Sequence, residues 1–299
     1  MKFTTWGLTG TLTTERPADA SFASACLWRV IGELDAACNR FRVDSELSRL
    51  NAAAGSPLRV SSTLLAALDA AIAASAATDG LCDPTVLASL LAWGYDRDYD
   101  QVRERTDLVE PTVQAAPGVD AIEIDRRART VRLAPGCQVD LGASAKALAA
   151  DLVADEVGER GGVVVEIGGD VAVRGSGPDG PWVIGVADRL SIAGDEPRVR
   201  VVGGGVATSS LATRVWRVAG RLVNHVIDPR TGGVADGPYA TATVAADRCV
   251  TANAFATAAL LWGADAGYRV AQAGWSGRLV RRDGTVEFVG GWPVEEGAP

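Results

Sequence analysis

The hydrophobic pattern of this chain changes near residue 160, and this change constrains the fold more than any other feature. Before that point, residues 19–41 carry apolar side chains every three or four positions, and residues 63–77 and 143–159 also have helical signals. After it, short apolar runs separated by glycines predict strands. Because helices and strands are mixed without strict alternation, the sequence favours an α+β fold with mostly antiparallel sheets.

The same patterns give the remaining element predictions. Shorter helices are predicted for residues 86–93 and 251–261, and a helical turn ends at Asn51. Strands are predicted for residues 3–13, 121–124, 130–133, 163–167, 171–174, 182–186, 199–202, 214–218, 222–227, 240–245, 278–282 and 285–289. Because no repeat or low-complexity linker divides the chain, we expect one domain over residues 1–292 and a flexible tail over residues 293–299.

The composition excludes several classes of protein. A formal net charge of −8 and a sequence pI near 4.8 argue against a nucleic-acid partner, since binding phosphate chains requires clustered lysines and arginines. No run approaches the roughly 20 apolar residues that a membrane-spanning helix needs, so we expect no membrane partner. The five cysteines include no CxxC pair, and the Thr-rich N-terminus lacks a signal-peptide pattern, which together predict a reduced, cytoplasmic protein.

Two polar segments precede predicted helices. Asp83 comes before Pro84, whose ring restricts the preceding backbone, so the carboxylate either points toward a ligand or caps the helix that begins there. Asp140 and Lys146 flank the start of the helix at residues 143–159, where free backbone amides suit a phosphate. A lysine in a first turn opposes the helix dipole but can meet an anion, so an anion site and a solvated helix start both stay open.

Three further segments combine glycines with polar side chains. Gly168 and Gly169 follow an apolar strand, where they permit the close approach of a ligand or form a bulge. His225 is the only histidine and precedes an Asp-Pro-Arg-Thr-Gly turn, a combination that favours a functional segment. Asn253 and Thr257 lie four residues apart, so a helix places both side-chain oxygens on one face, where they ligate a hard cation such as Mg²⁺ or are incidental.

In this order, the segments resemble the ApbE family of flavin transferases. The matching motifs are Ser45-Glu46-Leu47-Ser48-Arg49-Leu50-Asn51, Cys82-Asp83-Pro84-Thr85-Val86, Trp93-Gly94-Tyr95, Asp140-Leu141-Gly142-Ala143-Ser144-Ala145-Lys146, Gly168-Gly169-Asp170, Ala207-Thr208-Ser209, His225 to Gly232 and Ala252 to Ala258. Any one of these motifs is common in proteins. Their occurrence in this order over nearly the whole chain, from about Thr4 to Gly263, identifies the chain as a member of that family.

The resemblance implies a T-fold-like α+β architecture and the activity of an FAD:protein FMN transferase. Such an enzyme uses Mg²⁺ to cleave the pyrophosphate of FAD, transfers FMN to a Ser or Thr hydroxyl of a target flavoprotein, and releases AMP. A cation that bridges two phosphates supplies the positive charge that an acidic protein needs. The chain has no acceptor sequence of the Ser/Thr-Gly-Ala-Thr kind, so we expect it to be the transferase and not the target.

The resemblance also implies roles for individual residues. The main-chain oxygen of Ala143 and the side chains of Asn253 and Thr257 are expected to bind the metal, and His225 is expected near the transferred phosphate. The residues expected to contact FAD are Cys82, Asp83, Pro84, Asp140, Lys146, Gly168, Gly169, Asp170, Thr208 and His225. The acceptor hydroxyl also needs a base, for which His225 and Asp140 are both candidates.

Several positions depart from the family pattern. Asn253 replaces the aspartate that binds the metal in the family, which exchanges a charged ligand for a neutral amide oxygen. Glu166 stands where an asparagine usually precedes Gly-Gly-Asp, and Asn224 replaces the first histidine of a common pair. Ser210-Leu211 interrupts the usual Thr-Ser-Gly. Two alternatives to the transferase therefore stay open: an FAD hydrolase that releases FMN and AMP, and a non-catalytic FAD-binding protein.

Overall fold

A computed structural model describes residues 1–186 and 196–292. The chain divides into two compact units. The sheet unit contains Met1–Ile31, Lys146–Ala212 and the described residues from Gly237 onward, and the helix unit contains Gly32–Ala145 and Thr213–Asp236. The expected single domain over residues 1–292 stays a prediction, and the predicted tail, residues 293–299, lies outside the described residues.

Both units combine helices with strands. In chain order, the strands are β1 (Lys2–Thr5), β2 (Leu8–Thr14), β3 (Leu58–Arg59), β4 (Ile122–Asp125), β5 (Thr130–Leu133), β6 (Val163–Ile167), β7 (Asp170–Arg174), β8 (Trp182–Gly185), β9 (Arg198–Val201), β10 (Gly203–Ser210), β11 (Val215–Val218), β12 (Arg221–Asn224), β13 (Tyr239–Ala246), β14 (Ser276–Arg281) and β15 (Val286–Val289). The α-helices are α1 (Ala20–Cys38), α2 (Glu46–Ala52), α3 (Ser62–Ala77), α4 (Leu87–Ala92), α5 (Tyr99–Val102), α6 (Ser144–Gly158), α7 (Cys249–Ala259) and α8 (Ala266–Gln272).

The sheet unit is built on one eight-stranded sheet with the order β1-β2-β6-β7-β10-β13-β14-β15. Every neighbouring pair in it is antiparallel. Valines of β6, β7 and β10 form a buried cluster with Trp292, while helix α7 packs on β10 and β13. The predicted α+β fold with mostly antiparallel strands is therefore confirmed.

The helix unit has its own core around two buried tryptophans. The indole N–H of Trp93 donates to the carbonyl of Gly232 at 2.9 Å, and the indole N–H of Trp216 donates to the carbonyl of Trp93 at 2.8 Å. Both rings belong to one buried hydrophobic cluster that includes Leu87 and Leu90. Because each indole N–H has a partner, these large side chains are buried without a lost hydrogen bond. Two small sheets, β3-β5-β4 and β11-β12, complete the unit.

Local signals located some elements well and others poorly. Helix α3 begins where predicted, with the Ser61 hydroxyl accepting the N–H of Leu64 at 3.1 Å. Residues 3–13, predicted as one strand, instead form the hairpin β1–β2, because Trp6 and Gly7 turn the chain with φ of 49° and 69°. The predicted helix at residues 86–93 is divided into a 3-10 helix, Pro84–Val86, followed by α4.

The sequence does not predict β10, which lies between β7 and β13 in the sheet. Its first three residues are glycines, a composition that is typical of loops. A Cβ atom on Gly205 would lie 2.3 Å from the Cα of Cys249, so glycine is required where α7 crosses this strand. The glycines therefore reflect close helix–sheet packing. Helix α8 is also absent from the sequence prediction.

The N-terminus of α7 is held by a buried carboxylate. Asp151 of α6 is 0% exposed, and its two oxygens accept the backbone N–H groups of Cys249 at 3.1 Å and Val250 at 3.0 Å. Arg174, at the end of β7, donates to the same carboxylate at 3.0 Å and compensates its charge. A negative charge at a helix N-terminus is further stabilised by the helix dipole. One side chain thus joins α6, β7 and α7.

We predict that Asp151→Asn lowers the free energy of unfolding by about 3 kcal/mol, because the amide loses the charge and opposes an N–H donor to a backbone N–H. Urea denaturation at neutral pH measures this value. Asp155→Asn is the matched control, since its carboxylate also contacts Arg174 and Arg248 but is 40% exposed. The control is expected to lose less than about 1 kcal/mol. Equal losses in the two variants would contradict the special role of Asp151.

Candidate functional site

Helix α7 carries two of the predicted residues on one face. Asn253 and Thr257 lie one helical turn apart. The Asn253 Nδ2 donates to Oδ1 of Asp170, the first residue of β7, at 2.8 Å. The Thr257 hydroxyl shares a hydrogen bond of 3.0 Å with the hydroxyl of Ser209 on β10. Three separate segments of the sheet unit are thereby brought together around this helix face.

The turn between β6 and β7 contains the predicted glycine pair. Gly168 and Gly169 have φ of 61° and 94°, a conformation that glycine adopts at little cost. The N–H of Gly169 donates to Oε1 of Glu166 at 3.0 Å, and its carbonyl accepts the N–H of Thr208 at 3.2 Å. The Thr208 hydroxyl in turn shares a hydrogen bond of 2.9 Å with the hydroxyl of Thr243. Glu166, a departure from the family pattern, therefore stabilises this turn.

Asp83 caps the 3-10 helix that begins at Pro84. Its Oδ1 accepts the backbone N–H of Thr85 at 2.8 Å and the hydroxyl of Thr85 at 2.7 Å. The Thr85 hydroxyl oxygen also accepts the N–H of Gly118 at 3.0 Å. The carbonyl of Pro84 accepts the N–H of Asp140 at 2.8 Å. Two of the predicted segments therefore lie side by side within the helix unit.

Asp140 forms an ion pair that the sequence did not predict. Its Oδ2 lies 2.6 Å from Nε of Arg40, and the two side chains are only 14% and 8% exposed. Its Oδ1 accepts the N–H of Gly142 at 2.8 Å. The Arg40 guanidinium also lies over the rings of Phe41, at 4.0 Å, and Tyr95, at 4.8 Å. The carboxylate of Asp140 is thus neutralised by a cation that two aromatic rings hold in place.

His225 follows β12 in the helix unit and is half-buried. The preceding residue, Asn224, is buried, and both ends of its side-chain amide form hydrogen bonds to the backbone that follows β12. Its Nδ2 donates to the carbonyl of Ala235 at 2.9 Å, and its Oδ1 accepts the N–H of Val226 at 3.0 Å. The asparagine that replaces a family histidine therefore fixes the backbone that carries His225.

The Asp-Pro-Arg-Thr-Gly turn is closed by its own ion pair. The Arg230 guanidinium lies 2.7 Å from Oδ2 of Asp228, and the backbone N–H of Arg230 donates to Oδ1 at 3.0 Å. Burial acts to raise the pKa of Asp228, but the hydrogen bonds and the charge of Arg230 outweigh it and hold the pKa below its usual range. The turn is also anchored by the contact between Gly232 and the indole of Trp93.

All five cysteines are free and buried. Burial raises the pKa of the Cys82 thiol to about 12, and the charge of Asp83 adds to this effect. Burial also raises the pKa of Cys249 well above its usual value, and Asp170 adds to this, whereas Lys146 of α6 acts in the opposite direction. Thiols with such raised pKa values stay protonated near neutral pH, which disfavours both cysteines as nucleophiles.

Each unit gathers part of the predicted set. In the sheet unit, the segments of Asp170, Thr208 and the pair on α7 are in contact. In the helix unit, the segments of Asp83 and Asp140 are in contact, and Ala143 is exposed just before α6. Sequence reasoning missed two residues that hold these groups, Arg40 and Asp151, and named Ser209 only as part of a family motif. Arg40 was detectable in principle, since it is a charge at the end of the apolar helical pattern of residues 19–41.

Among residues 1–186 and 196–292, no group of three or more His, Cys, Asp or Glu side chains is arranged to hold a metal ion. A metal at the predicted position would therefore rely on amide, hydroxyl and main-chain oxygens. None of the helices in the same ranges is long and apolar enough to cross a membrane.

Both the sequence and the fold of this chain are similar to those of known proteins. The profile of the ApbE family matches residues 4–278. An FAD:protein FMN transferase of Vibrio cholerae is 30% identical over 264 residues, which cover 86% of this chain and 78% of that protein. The crystal structure of an ApbE protein from Thermotoga maritima has a TM-score of 0.83 at 26% identity, over 97% of this chain and 96% of that one.

A flavinyl transferase also shares this fold. The apo crystal structure of the Pseudomonas stutzeri flavinyl transferase ApbE has a TM-score of 0.77 at 27% identity, over 97% of this chain and 92% of that one. The chain belongs to the ApbE family. The family and fold inferred from the motifs are therefore both confirmed.

We predict that Arg40→Met lowers the free energy of unfolding by about 3 kcal/mol, because it leaves the Asp140 carboxylate buried without its counter-charge. Thermal denaturation followed by calorimetry measures the loss. Arg42→Met is the matched control, since Arg42 pairs with Asp35 and Asp44 at the surface, where water replaces the lost contacts. The control should melt close to the wild type. A control as unstable as Arg40→Met would show that burial of the pair is unimportant.

Proposed function

We propose that this chain is an FAD:protein FMN transferase. It cleaves FAD with Mg²⁺, transfers FMN to a Ser or Thr hydroxyl of a target flavoprotein, and releases AMP. The observation that carries the proposal is the fixed face of α7, where Asn253 and Thr257 contact Asp170 and Ser209. The family resemblance assigns the metal to this helix, and membership of the family over residues 4–278 supports the assignment.

The oxygens on α7 fit a hard cation. Mg²⁺ takes amide, hydroxyl and carbonyl oxygens and keeps several waters, so a site with few protein ligands is ordinary for it. Asn253 and Thr257 offer two such oxygens from one helix face, and the resemblance adds the main-chain oxygen of Ala143. When bound, the cation neutralises phosphate charge as the pyrophosphate is cleaved. The protein holds the side-chain ligands in place through Asp170 and Ser209.

The flavin nucleotide is proposed to contact the residues that the family resemblance indicates. Lys146 in the first turn of α6 supplies a positive charge for a phosphate, and the exposed Gly168 lets a ligand approach the backbone. The full proposed set is Cys82, Asp83, Pro84, Asp140, Lys146, Gly168, Gly169, Asp170, Thr208 and His225. We also propose a cytoplasmic location, which the five buried free thiols support.

His225 is the better candidate for the base that takes the proton of the acceptor hydroxyl. Both oxygens of Asp140 are engaged, one by Arg40 and the other by the N–H of Gly142. To accept a proton, the Asp140 carboxylate would therefore have to give up one of these contacts. Histidine is the side chain that ordinarily exchanges protons near neutral pH. We therefore propose that His225 accepts the proton and that Asp140 positions the flavin nucleotide.

One observation favours a second candidate function. Asn253 is a neutral ligand where the family has a charged one, and weaker metal binding would leave a protein that binds FAD without cleaving it. The FAD hydrolase differs from the transferase only in using water as the acceptor.

Incubation with FAD and Mg²⁺, with and without an acceptor flavoprotein, separates the three functions. AMP is measured by chromatography, and covalent flavin on the acceptor by its fluorescence in a denaturing gel.

A transferase releases AMP only with the acceptor present and labels it in equal amount. Release of AMP without acceptor would identify the hydrolase instead. Intact FAD in both reactions, together with FAD binding, would leave the non-catalytic binder and overturn the proposal.

We predict that His225→Gln reduces the rate of FMN transfer by about a hundredfold or more, because it removes the proposed base. Its affinity for FAD, measured by quenching of flavin fluorescence, should stay close to that of the wild type. Asp140→Asn is the matched comparison and is expected to weaken FAD binding more than it slows turnover. The opposite division, with Asp140→Asn losing turnover at unchanged FAD affinity, would assign the base to Asp140.

A further inference from the structure

We propose that Asp170 is the positioning residue that lets Asn253 serve in the metal site. It fixes the orientation of the Asn253 amide and supplies the negative charge that an asparagine lacks. This inference rests on the proposed function, because it concerns the cation that the FMN transferase uses. It goes beyond the family assignment, which counts Asp170 only among the residues expected to contact FAD.

The orientation follows from the chemistry of the two side chains. An ionised carboxylate only accepts hydrogen bonds, whereas an amide has a donor NH₂ at one end and an acceptor oxygen at the other. The 2.8 Å contact between Asp170 Oδ1 and Asn253 must therefore involve Nδ2. A flipped amide would place two acceptors against each other in a site where Asp170 is 2% and Asn253 is 7% exposed. The amide oxygen is consequently directed away from Asp170 and presented as a ligand.

Both partners are held by independent contacts. Asp170 begins β7, where its backbone is paired with Ile167 in β6 and Ala207 in β10. Asn253 lies on α7, whose start is hydrogen bonded to the buried Asp151. The pair therefore meets in one fixed geometry, and neither side chain has to be ordered when the cation arrives.

We expect the affinity for the cation to depend on the total charge of the Asp170–Asn253 pair. One carboxylate and one amide carry a single negative charge, and exchanging the two residues keeps both that charge and the hydrogen bond. Asn253→Asp alone would place two carboxylates in contact and raise the charge by one. Asp170→Asn alone would leave a neutral pair that can still form an amide–amide hydrogen bond. Since ligand charge is a main determinant of divalent-cation affinity, the four combinations should differ in a defined order.

The test is the binding of Mn²⁺ alone to the full chain, measured by the loss of the free Mn²⁺ signal in electron paramagnetic resonance. Asp170→Asn is expected to weaken binding at least about tenfold, and Asn253→Asp to strengthen it by about tenfold. The double variant Asp170→Asn/Asn253→Asp should return to within about threefold of the wild type. Asp247→Asn removes an exposed carboxylate just before α7 and is the charge control, with an expected change of less than about twofold.

Several outcomes would overturn the inference. One is unchanged Mn²⁺ affinity in Asp170→Asn, and another is a double variant that binds as Asn253→Asp does, because either would make Asp170 irrelevant to the cation. A wild-type protein that binds no Mn²⁺ overturns it outright. If Asp170→Asn fails to fold by circular dichroism, the comparison of the double variant with Asn253→Asp still decides the matter.

Activity is measured in parallel so that the two proposals can fail separately. FMN transfer by the wild type with unchanged Mn²⁺ affinity in Asp170→Asn would leave the transferase standing and remove the inference. The expected order of Mn²⁺ affinities, without transfer to any acceptor, would leave the inference standing and remove the transferase.

Discussion

The arrangement of the sheet unit depends on the hydrogen bonds and the ion pair that the Asp151 carboxylate forms. It is fully buried, and it accepts the first backbone N–H groups of α7 while Arg174 compensates its charge. A buried charge of this kind costs much desolvation energy unless every lone pair has a donor. The same strand, β7, is therefore linked to α7 in two ways: Arg174 at its end pairs with the Asp151 carboxylate that holds the start of α7, and Asp170 at its start accepts a hydrogen bond from Asn253. These contacts hold α7 with the face that carries Asn253 and Thr257 against β7 and β10.

Two of the carboxylates in the predicted segments are paired with arginines and are largely shielded from solvent. Arg40 neutralises Asp140 between two aromatic rings, and Arg230 holds Asp228 within its own turn. Asp170, at the start of β7, accepts a hydrogen bond from the neutral amide of Asn253. A carboxylate beside an amide oxygen on a rigid helix is a suitable environment for a divalent cation. This environment supports the proposal that a divalent cation binds at this face of α7.

The sequence predicted what depends on local signals. Helix α3 was predicted because residues 63–77 have a helical signal, and strands β4, β5, β14 and β15 were predicted because short apolar runs lie there. Strand β10 was missed because its glycines, which admit α7, have the composition of a loop. The motif resemblance identified the family because the order of the motifs along the chain can be read directly from the sequence.

Contacts between distant segments could not be predicted. Asn253 and Asp170 are separated by 83 positions, and nothing in either segment indicates that the two side chains meet. Asp151 lies in a helix where a charged residue ordinarily faces solvent, so its burial was not evident. Arg40 had a detectable signal, but its partner Asp140 belongs to another motif. Such pairs depend on the fold and become visible only once the strands and helices have been placed.

We propose that α7 presents the paired oxygens of Asn253 and Thr257 to a divalent cation. A crystal structure of the protein with FAD and Mn²⁺, with anomalous diffraction recorded for manganese, would locate that cation. We expect an anomalous peak bonded to the amide oxygen of Asn253 and the hydroxyl of Thr257, with Asn253 Nδ2 still donating to Asp170. A manganese peak bound elsewhere, or an Asn253 amide turned with its oxygen toward Asp170, would show that α7 does not hold the cation in this way.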